Sequence, residues 1–313
     1  MKKEKRYPVE YFFCKRQVEA DISDNAITQK LLQYFAKIGL SIGGITGETG
    51  IAGVRLDFNN GLRLQIPTGS FHVRISDYDS GMVFFDEDVQ EKILVSAEKF
   101  YIHWQIDIWL EGHQIFSHTF DPTGQRVFFV FMSPALGDNL AFWPYIKEYL
   151  ETFHGTVTCY VSGYLQPLLQ QIYPQMEFRE ELEEETYATY YFTSGVGNAL
   201  NLPIDGRSVP LSHIGKWTLG LHNFVDCRGM IPVKSQQKIE KPYVCIGVQA
   251  SSTRKGWLNA EGWEQVTEWL KDQGYRVLCI DRERKISSHG YMNHIPSGTE
   301  DFTGDYALQD RAE

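Results

Sequence analysis

Polar and apolar residues alternate through most of residues 51–120, which is the pattern of β-strands buried on one face only. Two alternating runs flank Asn59-Asn60-Gly61, a sequence typical of a tight β-hairpin. Similar turn signals occur at Asp79-Ser80-Gly81 and at Glu111-Gly112. We therefore predict a small antiparallel sheet or barrel here, preceded by one helix over residues 26–40.

The pattern changes at residues 126–132, "RVFFVFM", which are continuously apolar after the first residue. Such a run is typical of a strand in a parallel sheet that is covered on both faces. A helical pattern follows over residues 139–155. Because proline is tolerated only in the first turn of a helix, Pro144 predicts that this helix begins near Ala141.

Strands and helices then alternate to the end of the clear pattern. The predicted elements are a strand at 156–161, a helix at 165–174, and, after Pro242, a strand at 243–250, a helix at 260–274 and a strand at 275–281. This succession predicts an α/β fold with an N-terminal all-β appendage and two facing Rossmann-like domains, the second incomplete.

The predicted domains are a helix plus antiparallel β-domain, a first Rossmann-like domain and a partial second one, at residues 1–120, 121–240 and 241–313. Two strands and one helix in the third segment cover only one sheet face. We therefore expect an apolar surface and local instability there unless another chain covers it. The residues expected at that surface are Val244, Ile246, Val248, Val277 and Cys279.

Composition excludes two classes of partner. Hydrophobic residues make up 42% and charged residues 22%, as in an ordinary globular protein. The net charge is −10 and the basic cluster "MKKEKR" is short and mixed, which argues against a nucleic-acid binder. No stretch approaches the length of a membrane span, so we expect no membrane insertion.

The five cysteines are scattered and form no CxxC motif, which gives no support for a zinc or iron–sulfur site. No apolar segment follows the basic N-terminus, so no signal peptide is indicated. We therefore predict a cytoplasmic protein with reduced thiols and no metal in this chain.

Asp138 is the first candidate for chemistry. It follows the end of the strand at 126–132, and ligands of open α/β folds bind at the carboxyl ends of strands. Gly137 before it permits a sharp loop turn and close backbone approach. With the helix starting near Ala141, Asp138 is expected in the loop with a free carboxylate. Helix capping is the alternative role, because aspartate is a favoured capping residue.

Lys255 occupies the matching loop of the second strand–helix series, after "VQASSTRK". Small residues between a strand end and a helix N-terminus form anion sites, and lysine adds a mobile positive charge. Arg254 is an alternative cation, and Ser252 and Thr253 offer hydroxyl donors. The competing interpretation is a solvated surface loop.

Asp281 ends the next strand, where dinucleotide-binding enzymes hold a ribose. The preceding loop, "QASSTRKG", is not GxGxxG. An NAD-dependent oxidoreductase therefore lacks its main sequence support.

Two stretches, "FVFMSPALGDNLAFWPYIKEY" and "VQASSTRKGWLNAEGWEQVTEWLKDQGYRVLCID", together resemble the autotransporter O-heptosyltransferases, a branch of the bacterial heptosyltransferases. The β-rich stretch with "FHVRISDYDSGMVFFDE" is similar to the N-terminal domain of that branch. The resemblance implies a GT-B fold, an ADP-heptose donor, a serine of an autotransporter passenger as acceptor, and assembly into a homo-oligomer.

The resemblance also implies roles for three residues. Asp138 matches the aspartate taken as catalytic base, Lys255 the lysine near the donor diphosphate, and Trp257 its neighbouring aromatic residue. Transfer to a hydroxyl needs a base for its proton and positive charge on the departing diphosphate, so the residue types suit the reaction.

Two features depart from the family. The family continues with a strand and a Gly/Ser-rich turn that holds the nucleotide, and it has iron-binding cysteines near its C-terminus. No cysteine follows Cys279 here, so that iron site is expected to be absent. A catalytically inactive remnant or scaffold subunit is therefore the alternative to an active enzyme.

Overall fold

The computed structural model describes residues 7–12, 44–96, 102–180, 186–193, 204, 208–226, 242–250, 254–284 and 293–312. The chain divides into two compact units, residues 1–230 and 231–313. The helix predicted over residues 26–40 lies outside the described residues.

The first unit contains two sheets and three described helices. Its strands are β1 (Val9–Phe12), β2 (Arg55–Asn59), β3 (Arg63–Ile66), β4 (Phe71–Asp77), β5 (Val83–Val89), β6 (Lys92–Ser96), β7 (Trp104–Leu110), β8 (His113–Thr119), β9 (Arg126–Phe131), β10 (Thr156–Tyr160), β11 (Glu177–Arg179) and β12 (Ala188–Phe192). Its helices are α1 (Leu136–Thr152), α2 (Gln166–Ile172) and α3 (Leu211–Thr218), with a 3₁₀ turn at Gly163–Leu165.

Strands β5, β4, β7 and β8 form an antiparallel sheet in that order. The predicted hairpins are confirmed, because β2 pairs with β3, β4 with β5 and β7 with β8. Asn60 and Gly61 have φ of 55° and 97°, and Glu111 and Gly112 have φ of 51° and 81°. Two successive positive φ values are those of the primed turns that join twisted strands.

The second sheet has eight strands in the order β1-β6-β3-β2-β12-β9-β10-β11. The four strands β12, β9, β10 and β11 are parallel to one another, and β2 continues the sheet by pairing with β12. Residues 127–131 of β9 are buried, which confirms the prediction of a central strand covered on both faces. The β-rich segment and the α/β segment thus share one sheet.

Helix α1 begins at Leu136, so the predicted start near Ala141 is wrong. Pro144 lies inside the helix, where it removes one backbone hydrogen bond at a cost of about 3 kcal/mol. Aromatic packing offsets that cost: Trp143 stacks on Phe131 at 5.4 Å and on Tyr173 at 4.8 Å between ring centroids. Tertiary contacts therefore extend the helix beyond what the local sequence favours.

The second unit contains a three-stranded parallel sheet in the order β13-β14-β15. Its elements are β13 (Tyr243–Ile246), α4 (Ala260–Asp272), β14 (Arg276–Cys279), β15 (Glu300–Asp301) and α5 (Leu308–Ala312). The last strand and helix were not foreseen, because both are very short. The coarse fold prediction, a mixed α/β protein with a β-rich N-terminal region, is confirmed.

The predicted apolar surface on the second unit is wrong. The residues Ile246, Val248, Val277 and Cys279 form a buried cluster, with Val244, Trp263, Leu270 and Ile295 packed against it. Alternate residues of a strand point to the same face, so these side chains share the one face that α4 covers. Cys245 points the other way and is exposed. The exposure on which the expected instability rested is therefore absent.

Among the described residues, no helix is both long enough and apolar enough to cross a membrane.

Candidate functional site

One candidate site, in the first unit, is the junction between β9 and α1. Ala135 is the N-cap residue of α1, has an extended backbone, and makes no side-chain capping bond. Gly137 and Asp138 therefore lie in the first turn of the helix, and the prediction that they lie in a preceding loop is wrong. A negative charge in this turn interacts favourably with the positive end of the helix dipole.

The carboxylate of Asp138 is half-buried and held at one oxygen. Its Oδ2 accepts a hydrogen bond from the Ser133 hydroxyl at 2.7 Å. Ser133 Oγ in turn accepts from the Ala135 backbone N–H at 3.2 Å. In the described part of the chain, no other residue hydrogen-bonds to the Asp138 side chain, so Oδ1 is available to a ligand. Capping a backbone N–H, the alternative role, is not what this side chain does here.

Asn139 holds the backbone of the junction between β9 and α1 in place. It is 1% exposed, and its amide nitrogen donates to the backbone oxygens of Ser133 and Ala135, both at 2.7 Å. Tyr164, after β10, donates to the Pro134 oxygen at 2.7 Å. The backbone around Ser133 is therefore fixed from two sides, and the Ser133–Asp138 pair is preorganised.

Gly137 is exposed, and a Cβ atom added there would meet no atom within 4 Å. Its φ is not in the left-handed region, so the backbone does not require glycine at this position. What glycine contributes is open space directly beside Asp138.

Two surface cavities of the first unit lie away from Asp138. One, of about 480 Å³, is lined by His72, Trp109 and neighbouring polar residues of the four-stranded sheet. The other, of about 320 Å³, includes Thr152 and Phe153 at the far end of α1. Because ligands of open α/β sheets bind at the carboxyl ends of the strands, neither cavity corresponds to the expected reaction site.

A separate candidate site, in the second unit, is the loop between β13 and α4. Arg254 and Lys255 are both exposed, and no described residue forms an ion pair or hydrogen bond with either. Two cations without an acidic partner are suited to an anionic ligand. Ser252 and Thr253 lie outside the described residues.

Trp257 packs over the first turn of α4. Its ring lies 5.1 Å from that of Trp263 in an edge-on arrangement, and Trp263 Nε1 donates to the Trp257 oxygen at 3.2 Å. A Cβ atom on Gly262 would lie 2.6 Å from the Trp257 ring, so this packing requires glycine. Asn259 caps α4 by accepting from the Gly262 N–H at 2.9 Å.

Asp281 does not present a free carboxylate at the end of β14. Its Oδ2 accepts from the backbone N–H groups of Val248 at 2.7 Å and Gln249 at 3.2 Å. Burial raises the pKa of the neighbouring Cys279 to about 11, so that thiol stays protonated and points at the same oxygen, 3.5 Å away. Asp281 thus organises the backbone, which removes the one residue that favoured an NAD enzyme.

Sequence reasoning did not single out Ser133, Asn139 or Gly262. The available signals were a small polar residue after an apolar strand, Ser133, and a favoured capping residue before a helix, Asn259. Which of them bonds to which neighbour depends on the folded backbone.

The described residues provide no cluster of histidine, cysteine and carboxylate groups that could hold a metal ion. Cys245 and Cys279 belong to adjacent strands, but they are offset by one residue in register and face opposite sides of the sheet. They do not fit a shared iron site.

Comparison with known proteins identifies relatives of this chain. The model of the glycosyltransferase TibC N-terminal domain matches residues 50–112. The autotransporter heptosyltransferase Aah of Escherichia coli is 34% identical over 270 residues, which cover 83% of this chain and 68% of that protein. The chain belongs to the autotransporter heptosyltransferase family.

The chain spans about two thirds of the length of such relatives. A crystal structure of TibC from enterotoxigenic E. coli, described as a dodecameric iron-containing glycosyltransferase, matches with a TM-score of 0.77 and 32% identity over 86% of this chain and 72% of that one. A second TibC structure, in complex with ADP-D-beta-D-heptose, matches with a TM-score of 0.78. One relative, BimC of Burkholderia thailandensis, is described as inactive and is 29% identical over 74% of this chain and 56% of its own.

Proposed function

We propose that this protein is a glycosyltransferase that moves heptose from ADP-heptose to serine hydroxyl groups of an autotransporter protein. The observation that carries the proposal is the Asp138 carboxylate at the carboxyl edge of the parallel sheet, half-buried, with one oxygen fixed and the other available. Family membership supplies the donor and acceptor class, because a TibC structure holds ADP-heptose and the relatives are named for autotransporters.

In the proposed reaction, Asp138 Oδ1 accepts the proton of the acceptor serine. The serine oxygen bonds to the anomeric carbon of the heptose while the bond from that carbon to the diphosphate oxygen breaks, and ADP leaves. Ser133 supports the assignment, since its hydroxyl already makes with Oδ2 the type of contact that an acceptor serine would make with Oδ1. A positioned base contributes a factor of about 10²–10⁴ in rate.

Lys255 is proposed to bind the donor diphosphate, with Arg254, Ser252, Thr253 and Trp257 around it. Negative charge builds up on the departing diphosphate, so a cation there stabilises the transition state more than the ground state. Both cations are exposed and pair with no described residue, which supports the assignment.

The proposal includes a GT-B-like arrangement, in which residues 121–240 form the acceptor-side domain and residues 241–313 belong to the nucleotide-sugar-side domain. It also includes assembly with further copies of the chain, as in dodecameric TibC. We place the reaction in the cytoplasm, which the free thiols of Cys159, Cys245 and Cys279 support. The described residues offer no iron site, and no step of the reaction is assigned to iron.

Calorimetry with ADP tests the donor assignment. We expect the full chain to bind ADP, and Lys255→Ala to weaken binding by roughly 10- to 100-fold, the value of about 1.5–3 kcal/mol typical of hydrogen bonds to charged groups. Lys271→Ala removes the same charge from the last turn of α4 and should leave the affinity unchanged. Equal effects of the two substitutions would refute a specific role for Lys255.

The second candidate function is that of a catalytically inactive remnant or scaffold subunit. The similarity to BimC, a relative described as inactive, favours it. This candidate predicts no measurable ADP binding by the parent chain, and the same calorimetry therefore separates the two.

A further inference from the structure

The carboxyl end of β13 is held by hydrogen bonds from both sides. On one side, Asp281 Oδ2 accepts from the backbone N–H groups of Val248 and Gln249. On the other side, Asn293 Nδ2 donates to the Val248 backbone oxygen at 2.6 Å. Asp281 and Asn293 together are called the β13 clamp below.

The clamp is well supported by its surroundings. Asn293 is 4% exposed, and its own backbone oxygen accepts from the Gln249 side chain at 2.6 Å. Gln249 Nε2 also donates to the Arg284 backbone oxygen at 3.0 Å. The Asp281 backbone oxygen accepts from the Arg311 guanidinium at 3.2 Å, which fixes the end of β14 as well.

Sheet formation alone does not account for these bonds. Pairing between β13 and β14 ends at Ile246 and Cys279, and the Ile280 N–H adds one bond to the Ile246 oxygen. Val248 and Gln249 lie beyond that ladder, where a chain leaving a sheet is normally solvated. A charged side chain bonds their N–H groups instead, and hydrogen bonds to an ionised acceptor are roughly twice as strong as neutral ones.

We propose that Asp281 and Asn293 are positioning residues for the donor diphosphate, because they fix the segment from which the chain continues to Arg254 and Lys255. This inference rests on the proposed function, since it takes Lys255 as the diphosphate ligand. Neither clamp residue is proposed to touch the donor. Each acts through the direction in which the backbone leaves β13, and small displacements of a binding group are costly for affinity and rate.

As a positioning residue, Asp281 has a role different from that of a dinucleotide-binding acid. A ribose-binding carboxylate needs an oxygen that is free to accept a hydrogen bond from the ribose hydroxyl group. Here Oδ2 is taken by two backbone amides, and Oδ1 lies close to Gly247, where an added Cβ would be 3.3 Å away. A larger residue at 247 would press on this carboxylate.

The test is ADP calorimetry on the full chain with clamp variants. We expect Asp281→Ala to weaken ADP binding roughly tenfold, the equivalent of about 1.4 kcal/mol. Asp281→Asn keeps an acceptor oxygen for both amides, so its dissociation constant should stay within about threefold of the parent value. Glu300→Gln is the matched control, because it removes a carboxylate from the same sheet that pairs with Arg276 and not with the clamp.

A double-mutant cycle separates positioning from general stability. If Asp281 acts through Lys255, the variant carrying both Asp281→Ala and Lys255→Ala should bind ADP no more than about threefold more weakly than Lys255→Ala alone. Independent, multiplying effects would overturn the inference, as would an Asp281→Ala variant that melts earlier but binds ADP like the parent. If Asp281→Ala does not fold, Asn293→Ala carries the same expectation and the same refutation.

The outcomes distinguish this inference from the proposed function. A parent chain that does not bind ADP overturns the donor assignment and the inference with it. A parent that binds ADP through Lys255, while both clamp variants bind as tightly as the parent, overturns the inference alone.

Discussion

Ser133 is the residue that gives Asp138 a defined orientation. A lone carboxylate in the first turn of a helix rotates freely, whereas Asp138 is bonded at Oδ2 and Ser133 is itself tied to the backbone of Ala135. The serine thus fixes one carboxylate oxygen, and no described residue hydrogen-bonds to the other. In the proposed reaction Ser133 contributes geometry, and Asp138 accepts the proton.

Replacing Ser133 tests this role. We expect Ser133→Ala to lower kcat for heptose transfer about 10- to 100-fold, because it removes one hydrogen bond to a charged group. ADP affinity should not change, since Ser133 is not among the residues proposed to bind the donor. Ser133→Thr retains the hydroxyl and should recover most of the rate. A threonine variant as slow as the alanine variant would contradict the hydrogen-bond argument.

At the scale of residues, the sequence singled out Asp138, Lys255 and Asp281 as candidates. It did not predict the hydrogen-bond partners of the two aspartates. Asp138 and Lys255 stand out because they follow strand ends in matching positions. Asp281 was recognised as a residue of interest, but its function was not, since its partners Val248 and Gln249 lie more than thirty residues away in the chain. Hydrogen bonds of a side chain to distant backbone leave no local pattern.

At the scale of elements, local rules failed where tertiary packing opposed them. Pro144 indicated a helix start near Ala141, yet α1 begins at Leu136 because the rings of Phe142 and Trp143, just before the proline, pack against Phe131 of β9. The hairpins were predicted correctly, because their turns depend on residues that accept positive φ. In the second unit, the apolar residues of both strands were expected on the uncovered face of the sheet, whereas they alternate along each strand and share the face that α4 covers.

Gly262 provides a test at this scale. In an exposed helix, Gly→Ala normally stabilises by up to about 1 kcal/mol. Here the added methyl group would collide with the Trp257 ring, so we expect Gly262→Ala to displace Trp257 from α4. Tryptophan fluorescence should shift to longer wavelength, and ADP binding should weaken if Trp257 lines the donor site. Gly274→Ala is unsuitable as a control because of its φ of 86°.

A suitable control is Glu261→Ala, which alters the same exposed turn of α4 without approaching Trp257. If Gly262→Ala left the fluorescence spectrum of the parent unchanged, the observed packing of Trp257 would not exist in solution.

At the scale of the whole molecule, the order of the segments was more informative than any single motif. A β-rich segment, a strand followed by Gly137-Asp138, and a later strand followed by Arg254-Lys255 together identified the family. The comparisons confirm that membership.

The most direct test of the account is transfer of heptose to an autotransporter protein, measured by intact-mass spectrometry with ADP-heptose as donor. We expect the parent chain to add heptose to serines. Asp138→Asn should transfer about 10²–10⁴ times more slowly while binding ADP as tightly as the parent. Glu148→Gln, on the same helix, should behave like the parent. Transfer by Asp138→Asn at the parent rate would contradict the account.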